Sequence, residues 1–552
     1  MKNHSCHLCR IPTLVCLVLI LAVSFSCAFS WLHTPRFAFA DTSYISIVSK
    51  DNAQASYHAY QFFTADIDED NNATHITWGD GVDSSSLIDF LNQYGYETWI
   101  TDNSKGPADN AQNAAEFIAL GISNSEGEQS PVWVNGDSFA YELGGWAVNE
   151  SGLIPAYIES EEGLATYTDD EGYYLLVNSD VDALDLSATL PVWIPLGGST
   201  HEVVVKAGSP SIDKAILEND EAIKSTDIEI SDTVTYQITT TLPSHYHGFA
   251  HYFYQVSDAV PEGMTIETGD VAVSHNDTDI TSQFDIAVSD ANLLTVTAED
   301  LKALSEEFAS GDTITITYTV DLNNLGDMVF GGTGNINGAS LEYSNDPYSD
   351  THGTIEPDDT YVYTYQISID KTDASTGVPL EGAQFIIQNA EGKYLAQSGD
   401  TYAWSADQAG ATKFTTNAQG AIAQIPGLDA GTYTITEVQA PEGYADPSLS
   451  PSFTVDLEPT YSESGQLEGL VASVSQNALL SPTIAIDGVN PDSGMVNIDV
   501  TNEQNILDVL PKTWDTTPLI FKVALIAALI CIASALVIIA RNKMKAVDGR
   551  ED

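Results

Sequence analysis

The sequence predicts a mainly β protein in which tandem β-sandwich domains follow a mixed α/β N-terminal domain, with an N-terminal signal peptide and a C-terminal transmembrane helix at the two ends. Three observations carry this expectation. From residue 209 to 505, short stretches rich in Thr, Val, Ile and Tyr alternate apolar and polar residues with period two, as half-buried strands do. Residues 41–208 mix such stretches with apolar residues at helical spacing. The two long apolar runs lie only at the ends of the 552-residue chain.

The N-terminal end, 1–40, has Lys2 and Arg10 ahead of an apolar segment at 14–25, and Ala38-Phe39-Ala40 as a small-x-small cleavage site. At the other end, 510–552 holds Leu510-Pro511-Lys512-Thr513-Trp514, an apolar run at 519–540, then Arg541, Lys543 and Lys545. About 20 apolar residues cross the hydrocarbon core of a bilayer, and a basic flank stays inside, so the bulk of the chain is expected outside. Between residues 41 and 513 there are ten lysines and no arginine, and the whole chain carries a formal charge of −61. Such a surface repels nucleic acid and anionic membranes. Cys6, Cys9, Cys16, Cys27 and Cys531 all fall in the terminal segments, so the exported body has no disulfide to stiffen it.

In the first domain, strands are expected at 44–48 and 173–177, and helices through Leu87, Leu91 and Tyr94 and over 111–120. Asp66, Asp68 and Asp70 alternate like the start of a calcium loop, but Asn71 stands where glycine is needed and Thr77 where the bidentate glutamate is needed. An acidic turn without metal is the expectation. The domain closes on His201-Glu202-Val203-Val204-Val205-Lys206, an amine at a strand end.

Strands at 233–239, 252–256 and 313–320 make the second domain, 209–352, a sandwich, with a helical insert through Leu301, Leu304 and Phe308. Its polar residues break the pattern in one way. Lys214 shares parity with Ile212 and Ile216, Asp258 with Tyr254 and Val256, and Asn345 with Leu341 and Tyr343; Asn337 has the same parity and is the alternative amide. Each therefore points where its apolar neighbours point. In the third domain, 361–505, Lys371 follows Tyr365, Ile367 and Ile369; Glu437 follows Tyr433 and Ile435; Asn502 follows Val496, Ile498 and Val500. A lone buried ammonium costs several kcal/mol, but a lysine, a carboxyl and a carboxamide buried together can react. The desolvated amine loses its proton and becomes a nucleophile, and a desolvated carboxyl becomes a general acid. The amine attacks the carboxamide, ammonia leaves, and an amide crosslink remains.

Four sets of residues resemble known families. The LPxT-type motif 510–514 with its span and basic tail resembles the cell-wall sorting signal of Gram-positive surface proteins. The resemblance implies cleavage after Thr513 by a sortase, one able to take Trp514 where glycine is usual. Tyr57-His58-Ala59-Tyr60-Gln61-Phe62-Phe63 and Trp78-Gly79-Asp80-Gly81-Val82 resemble the N-terminal domain of fimbrial backbone subunits, whose linking lysine Lys206 matches. Ile212-Asp213-Lys214, Ser257-Asp258-Ala259-Val260-Pro261-Glu262-Gly263-Met264 and Tyr343-Ser344-Asn345-Asp346-Pro347 resemble an isopeptide-forming fimbrial domain. Tyr365-Gln366-Ile367-Ser368-Ile369-Asp370-Lys371 and Tyr433-Thr434-Ile435-Thr436-Glu437 closely resemble a collagen-binding-protein B-type, SpaA-like, immunoglobulin-like domain, whose lysine, glutamate and asparagine match Lys371, Glu437 and Asn502.

Together the resemblances imply a sortase-assembled major pilin, anchored in the Gram-positive cell wall. Its partners would be a sortase, other copies of itself, minor pilins and peptidoglycan, with no nucleic acid, no cofactor and no metal. A wall-anchored adhesin that never polymerises is the alternative. A surface hydrolase is disfavoured because no G-x-S-x-G or H-E-x-x-H string occurs. His245, His247 and His251 lie among aromatics with no cysteine beside them, which argues against zinc.

Overall fold

The computed structural model describes residues 44–504, apart from 50–55, 69, 71, 124–135, 160–163, 168, 179–187, 199–200, 206–207, 323, 400 and 445–449. The expected signal at 1–40, Lys206, the motif 510–514 and the span 519–540 lie outside the described residues. Among the described residues, no helix is long and apolar enough to cross a membrane. Two compact units are formed. Of the described residues, one takes those up to Ser209 with His247–Ala250 and Asn345–Thr351, and the other takes Pro210–Tyr246, His251–Ser344 and those from His352 to 504.

The first unit is built on a sheet ordered Ala73–Trp78, Ser56–Ile67, Gly172–Val177, Val192–Leu196, with Ala156–Glu159 also on Ser56–Ile67. The helices Ser84–Asn92, Tyr96–Asp102, Ala111–Ile122 and Gly136–Asn149 bury Leu87, Phe117, Phe139 and Trp146 against Phe62, Phe63, Leu175 and Val177. Phe62 and Phe63 are consecutive yet share this core, because the register with Gly172–Val177 slips between Gln61 and Phe63 and the extra residue re-aims the strand. A second core, with Tyr57, Tyr174 and Ile194, lies against the strands Leu164–Tyr167, Ile45–Ser49 and His201–Val205. Asp83 and Asn110 cap their helices by accepting two backbone N–H groups each, which fixes where the two expected helices begin. Tyr96–Asp102 and Gly136–Asn149 were not legible as helices in the sequence. The Asp66 stretch is a hairpin turn in which Asp68 accepts from the Asn72 backbone N–H (2.8 Å) and Asp66 pairs with His75 (2.8 Å).

The second unit holds two successive sandwiches. In the first, one sheet is ordered Glu221–Ile223, Ser211–Glu218, Thr233–Thr241, Thr313–Leu322, Ala272–His275, Thr278–Asp279. The other is ordered Ser225–Asp227, His352–Tyr363, Asn335–Ser344, Tyr254–Ala259, Leu293–Ala298, Asp285–Val288. Alternate residues Tyr236, Ile238, Ile316 and Tyr318 of one sheet and Tyr254, Val256, Leu341 and Tyr343 of the other are fully buried. His352–Tyr363 pairs with Asn335–Ser344, so this sandwich runs past the expected limit at 352, and Thr364 alone separates it from the next strand. The expected helix through Leu301, Leu304 and Phe308 is a single 3₁₀ turn, Leu301–Ala303. Asp300 caps it through Lys302 N–H, and Leu304 is already extended.

In the last sandwich a four-stranded sheet, ordered Ala421–Leu428, Tyr365–Asp373, Met495–Asn502, Thr483–Asn490, accompanies a seven-stranded one that includes Gln384–Gln388, Gly431–Gln439, Ser452–Tyr461 and Leu467–Val474. Tyr365–Asp373 and Met495–Asn502, the first and last strands, run side by side in parallel, with Lys371 opposite Val500 and Asp373 opposite Asn502.

Candidate crosslinking sites

Parallel pairing of the first and last strands places Lys371 and Asn502 on one face, two residues apart in register. Lys371 Nζ donates to Asn502 Oδ1 (2.6 Å). The carboxamide nitrogen of Asn502 donates to both oxygens of Glu437 (3.2 and 3.3 Å), which reaches in from Gly431–Gln439. Lys371 Nζ lies 3.8 Å from Glu437 Oε1, and all three side chains are at most 1 % exposed. Burial pulls the Lys371 ammonium down to about 8, with the Glu437 charge opposing the shift. Burial likewise raises the Glu437 carboxyl above its ordinary value, against the pull of Lys371 and the Asn502 hydrogen bond. Both shifts favour the neutral forms, an amine beside a carboxamide carbonyl and an undissociated acid beside its nitrogen.

The first sandwich carries a second set, assembled between its two sheets. Lys214, on Ser211–Glu218, donates to Asp258 Oδ2 and to the Tyr318 hydroxyl (2.9 Å). Tyr318 donates to Asp258 Oδ2 (2.5 Å) and accepts from Asn337 Nδ2 (2.8 Å). Lys214, Asp258 and Asn337 are 0 % exposed. Nζ also sits 4.8 Å from the Tyr236 ring centroid, and that ring stacks on Tyr318. Burial lowers the Lys214 ammonium to about 8, opposed first by the charge on Asp258. The Lys214 backbone is clamped from outside: its N–H donates to Asp358 Oδ2 (2.6 Å), which also takes Lys224 Nζ (2.7 Å).

One expectation is corrected here. Asn345 is not in this set, and Asn337 is. Both have the parity that faces the core, but position along the strand comes from pairing. Asp258 lies opposite Ala339, which brings the same-face neighbour Asn337 to the Tyr318 hydroxyl that bonds the carboxyl. Asn345 is held elsewhere, its Oδ1 accepting from the Thr351 hydroxyl (2.8 Å) and its backbone carbonyl from Ala188 N–H (2.7 Å). Tyr318 was missed in the sequence, although a signal was there: it is the one hydroxyl-bearing residue in the inward row Ile314, Ile316, Tyr318, Val320. Among the described residues, no group of three His, Cys, Asp or Glu side chains is arranged to hold a metal.

Each of the two sandwiches holds a buried lysine, carboxyl and asparagine, and the last of them matches a family model. Residues 365–464 match the SpaA prealbumin-like fold domain. The chain is homologous to the trypsin-resistant surface T6 protein of Streptococcus pyogenes serotype M6, 26 % identical over 260 residues. The alignment covers 44 % of this chain and 45 % of that relative, less than half of its length. Among solved structures, the T6 backbone pilin of the same serotype, described as a modular three-domain structure, superposes with a TM-score of 0.52 at 16 % identity. That match covers 85 % of this chain and 99 % of the other, and it establishes likeness of fold. The full-length major pilin SpaD of Corynebacterium diphtheriae also aligns, with TM-score 0.44 and 17 % identity over 85 % of this chain and 99 % of that one.

Proposed function

We propose that this chain is a structural subunit of a covalently polymerised surface pilus of a Gram-positive cell. A sortase joins Thr513 of one copy to Lys206 of the next. Each copy is stiffened by two intramolecular amide bonds, Lys214 to Asn337 and Lys371 to Asn502. Asp258 and Glu437 act as general acids for these bonds, polarising the carboxamide while the amine attacks. Each bond forms once per molecule, so the chain is autocatalytic and not an enzyme. The observation that carries the reading is the Lys371 amine, buried without exposure and 2.6 Å from the Asn502 carboxamide oxygen with Glu437 on the other side of that group. A charged lysine there would be costly, and an amide is not.

Sortase, further copies of the chain, minor pilins and peptidoglycan are the partners this function requires, and the cell wall is the location. Mass spectrometry of the mature protein is expected to find it lighter than its sequence by two ammonia masses, with linked peptides joining the two pairs. Cell-wall extracts boiled in detergent are expected to give a ladder of covalent multimers that disappears in Lys206→Ala. A single monomeric band in wild type would instead favour the second reading, an anchored adhesin.

A further inference from the structure

The two reactive sets differ in how the carboxyl meets the leaving nitrogen. At the Lys371 site Glu437 accepts from Asn502 Nδ2 directly (3.2 and 3.3 Å). At the Lys214 site the acid is an aspartate, one methylene shorter, and the hydrogen bond of Asn337 Nδ2 goes to Tyr318 instead (2.8 Å). The Tyr318 hydroxyl in turn bonds Asp258 Oδ2 (2.5 Å) and receives Lys214 Nζ (2.9 Å), so it touches acid, nucleophile and leaving group at once. Burial holds the phenol well above its ordinary value, so it stays a hydroxyl and can both give and take a proton.

We propose that Tyr318 is a catalytic proton relay for the first crosslink, spanning the gap that the short side chain of Asp258 leaves to the departing nitrogen of Asn337. This rests on the reading of Lys214 and Asn337 as a bond-forming pair. Asp258 first takes a proton from Lys214, leaving a neutral amine. Nζ then adds to Asn337 Cγ. Tyr318 passes its hydroxyl proton to Nδ2 and is refilled from the protonated Asp258 Oδ2, while Nζ returns a proton to that carboxyl. The Cγ–Nδ2 bond breaks, ammonia leaves, and Tyr318 ends as the hydroxyl it began as. Five protons are shared among Nζ, Nδ2 and the carboxyl before and after, and no outside reagent enters.

The test is Tyr318→Phe in the full mature chain, made in a short pulse of cell-free synthesis and followed by intact mass and peptide mapping. The Lys371–Asn502 bond in the same molecules is the internal reference for folding. In wild type both bonds are expected. In Tyr318→Phe the Lys371 bond is expected at its normal rate and the Lys214 bond slowed at least about 100-fold, the low end for general acid–base catalysis. The double variant Tyr318→Phe with Asp258→Glu, whose longer acid reaches Nδ2 unaided, is expected to recover much of the loss. Formation of the Lys214 bond at the wild-type rate in Tyr318→Phe would overturn the relay, as would slowing that the longer acid does not relieve. Absence of the bond in wild type would sink the underlying pairing instead.

Discussion

Glu437→Gln tests the chemistry of the last sandwich with little change of shape. Glutamine keeps the volume and can still meet the Asn502 carboxamide, but it has no acid proton to give. An amide bond between Lys371 and Asn502 would close a separation of 131 residues. By the chain-entropy relation used for disulfides, that constraint stabilises by roughly 5 kcal/mol. At about 3 °C per kcal/mol for a domain of this size, the transition of this sandwich falls by about 15 °C. Scanning calorimetry of the mature chain reads the shift, and intact mass must show the return of one ammonia. The unlinked variant also acquires a pH dependence that the linked protein lacks. Its buried lysine is lowered in the folded state, so between that folded value, about 8 or below once the carboxylate is gone, and the ordinary value near 10.4, the unfolded chain binds more protons than the native one. Its stability therefore rises with pH across that window. A variant that keeps the wild-type mass refutes the acid role of Glu437. One that loses the bond without any fall in the transition refutes the stabilising role of the bond.

Three further outcomes follow from particular contacts. Asn337→Ala should restore one ammonia mass while Asn345→Ala restores none, measured on intact protein; the reverse would return the first crosslink to Asn345. Where the two sandwiches meet, Glu229, half-buried and bonded to Asn389 (2.9 Å), is raised to about 7 by burial first and then by Asp429, itself raised by burial to about 6. Raised carboxyls bind protons in the folded state that the unfolded chain has already released, so the melting temperature should climb as pH falls from 8 to 5, and Glu229→Gln should flatten part of that slope. Gly331 has φ +56°, and a Cβ there would meet Gly494 N and Pro491 O at 2.3 Å, both backbone. Gly331→Ala should therefore destabilise the junction by roughly 1–3 kcal/mol in thermal melting, the cost of displaced and strained backbone.

How much of this was legible in the sequence depends on which variable decided it. Period-two patterning found the strands and their faces, because side-chain direction in a strand is local. It put Lys371, Glu437 and Asn502 on inward rows, and the fold brings them together. For Lys214 and Asp258 it also sufficed, but for the amide it did not. Asn337 and Asn345 have the same parity, and only the pairing of Asp258 with Ala339 separates them, which is a long-range fact. Tyr318 stayed hidden for a different reason, since a tyrosine in an inward row usually reads as packing. The short 3₁₀ turn at Leu301–Ala303 reads as a helix in the sequence because three apolar residues at helical spacing cannot reveal that Asp300 caps one turn only. The domain limit moved because His352–Tyr363 carries polar residues over much of its length, and its pairing with Asn335–Ser344, more than its composition, makes it a strand.

The two sites also bear differently on force. In the last sandwich a Lys371–Asn502 amide would join neighbouring parallel strands that are the first and last of the domain, so tension applied between its ends would cross from Tyr365–Asp373 to Met495–Asn502 through that one amide, and the intervening sheet would carry almost none of it. In the sandwich before it the lysine is on Ser211–Glu218, in one sheet, and Asn337 is on Asn335–Ser344, in the other, so an amide between them would fasten the two layers across the core. His352–Tyr363 lies beyond Asn337 and leads directly into Tyr365–Asp373. A pull transmitted between the sandwiches therefore runs through the backbone hydrogen bonds of His352–Tyr363 to Asn335–Ser344 before it reaches a covalent tie. On the pilus reading, that strand, and not either crosslinked core, is the part of each subunit that would yield first.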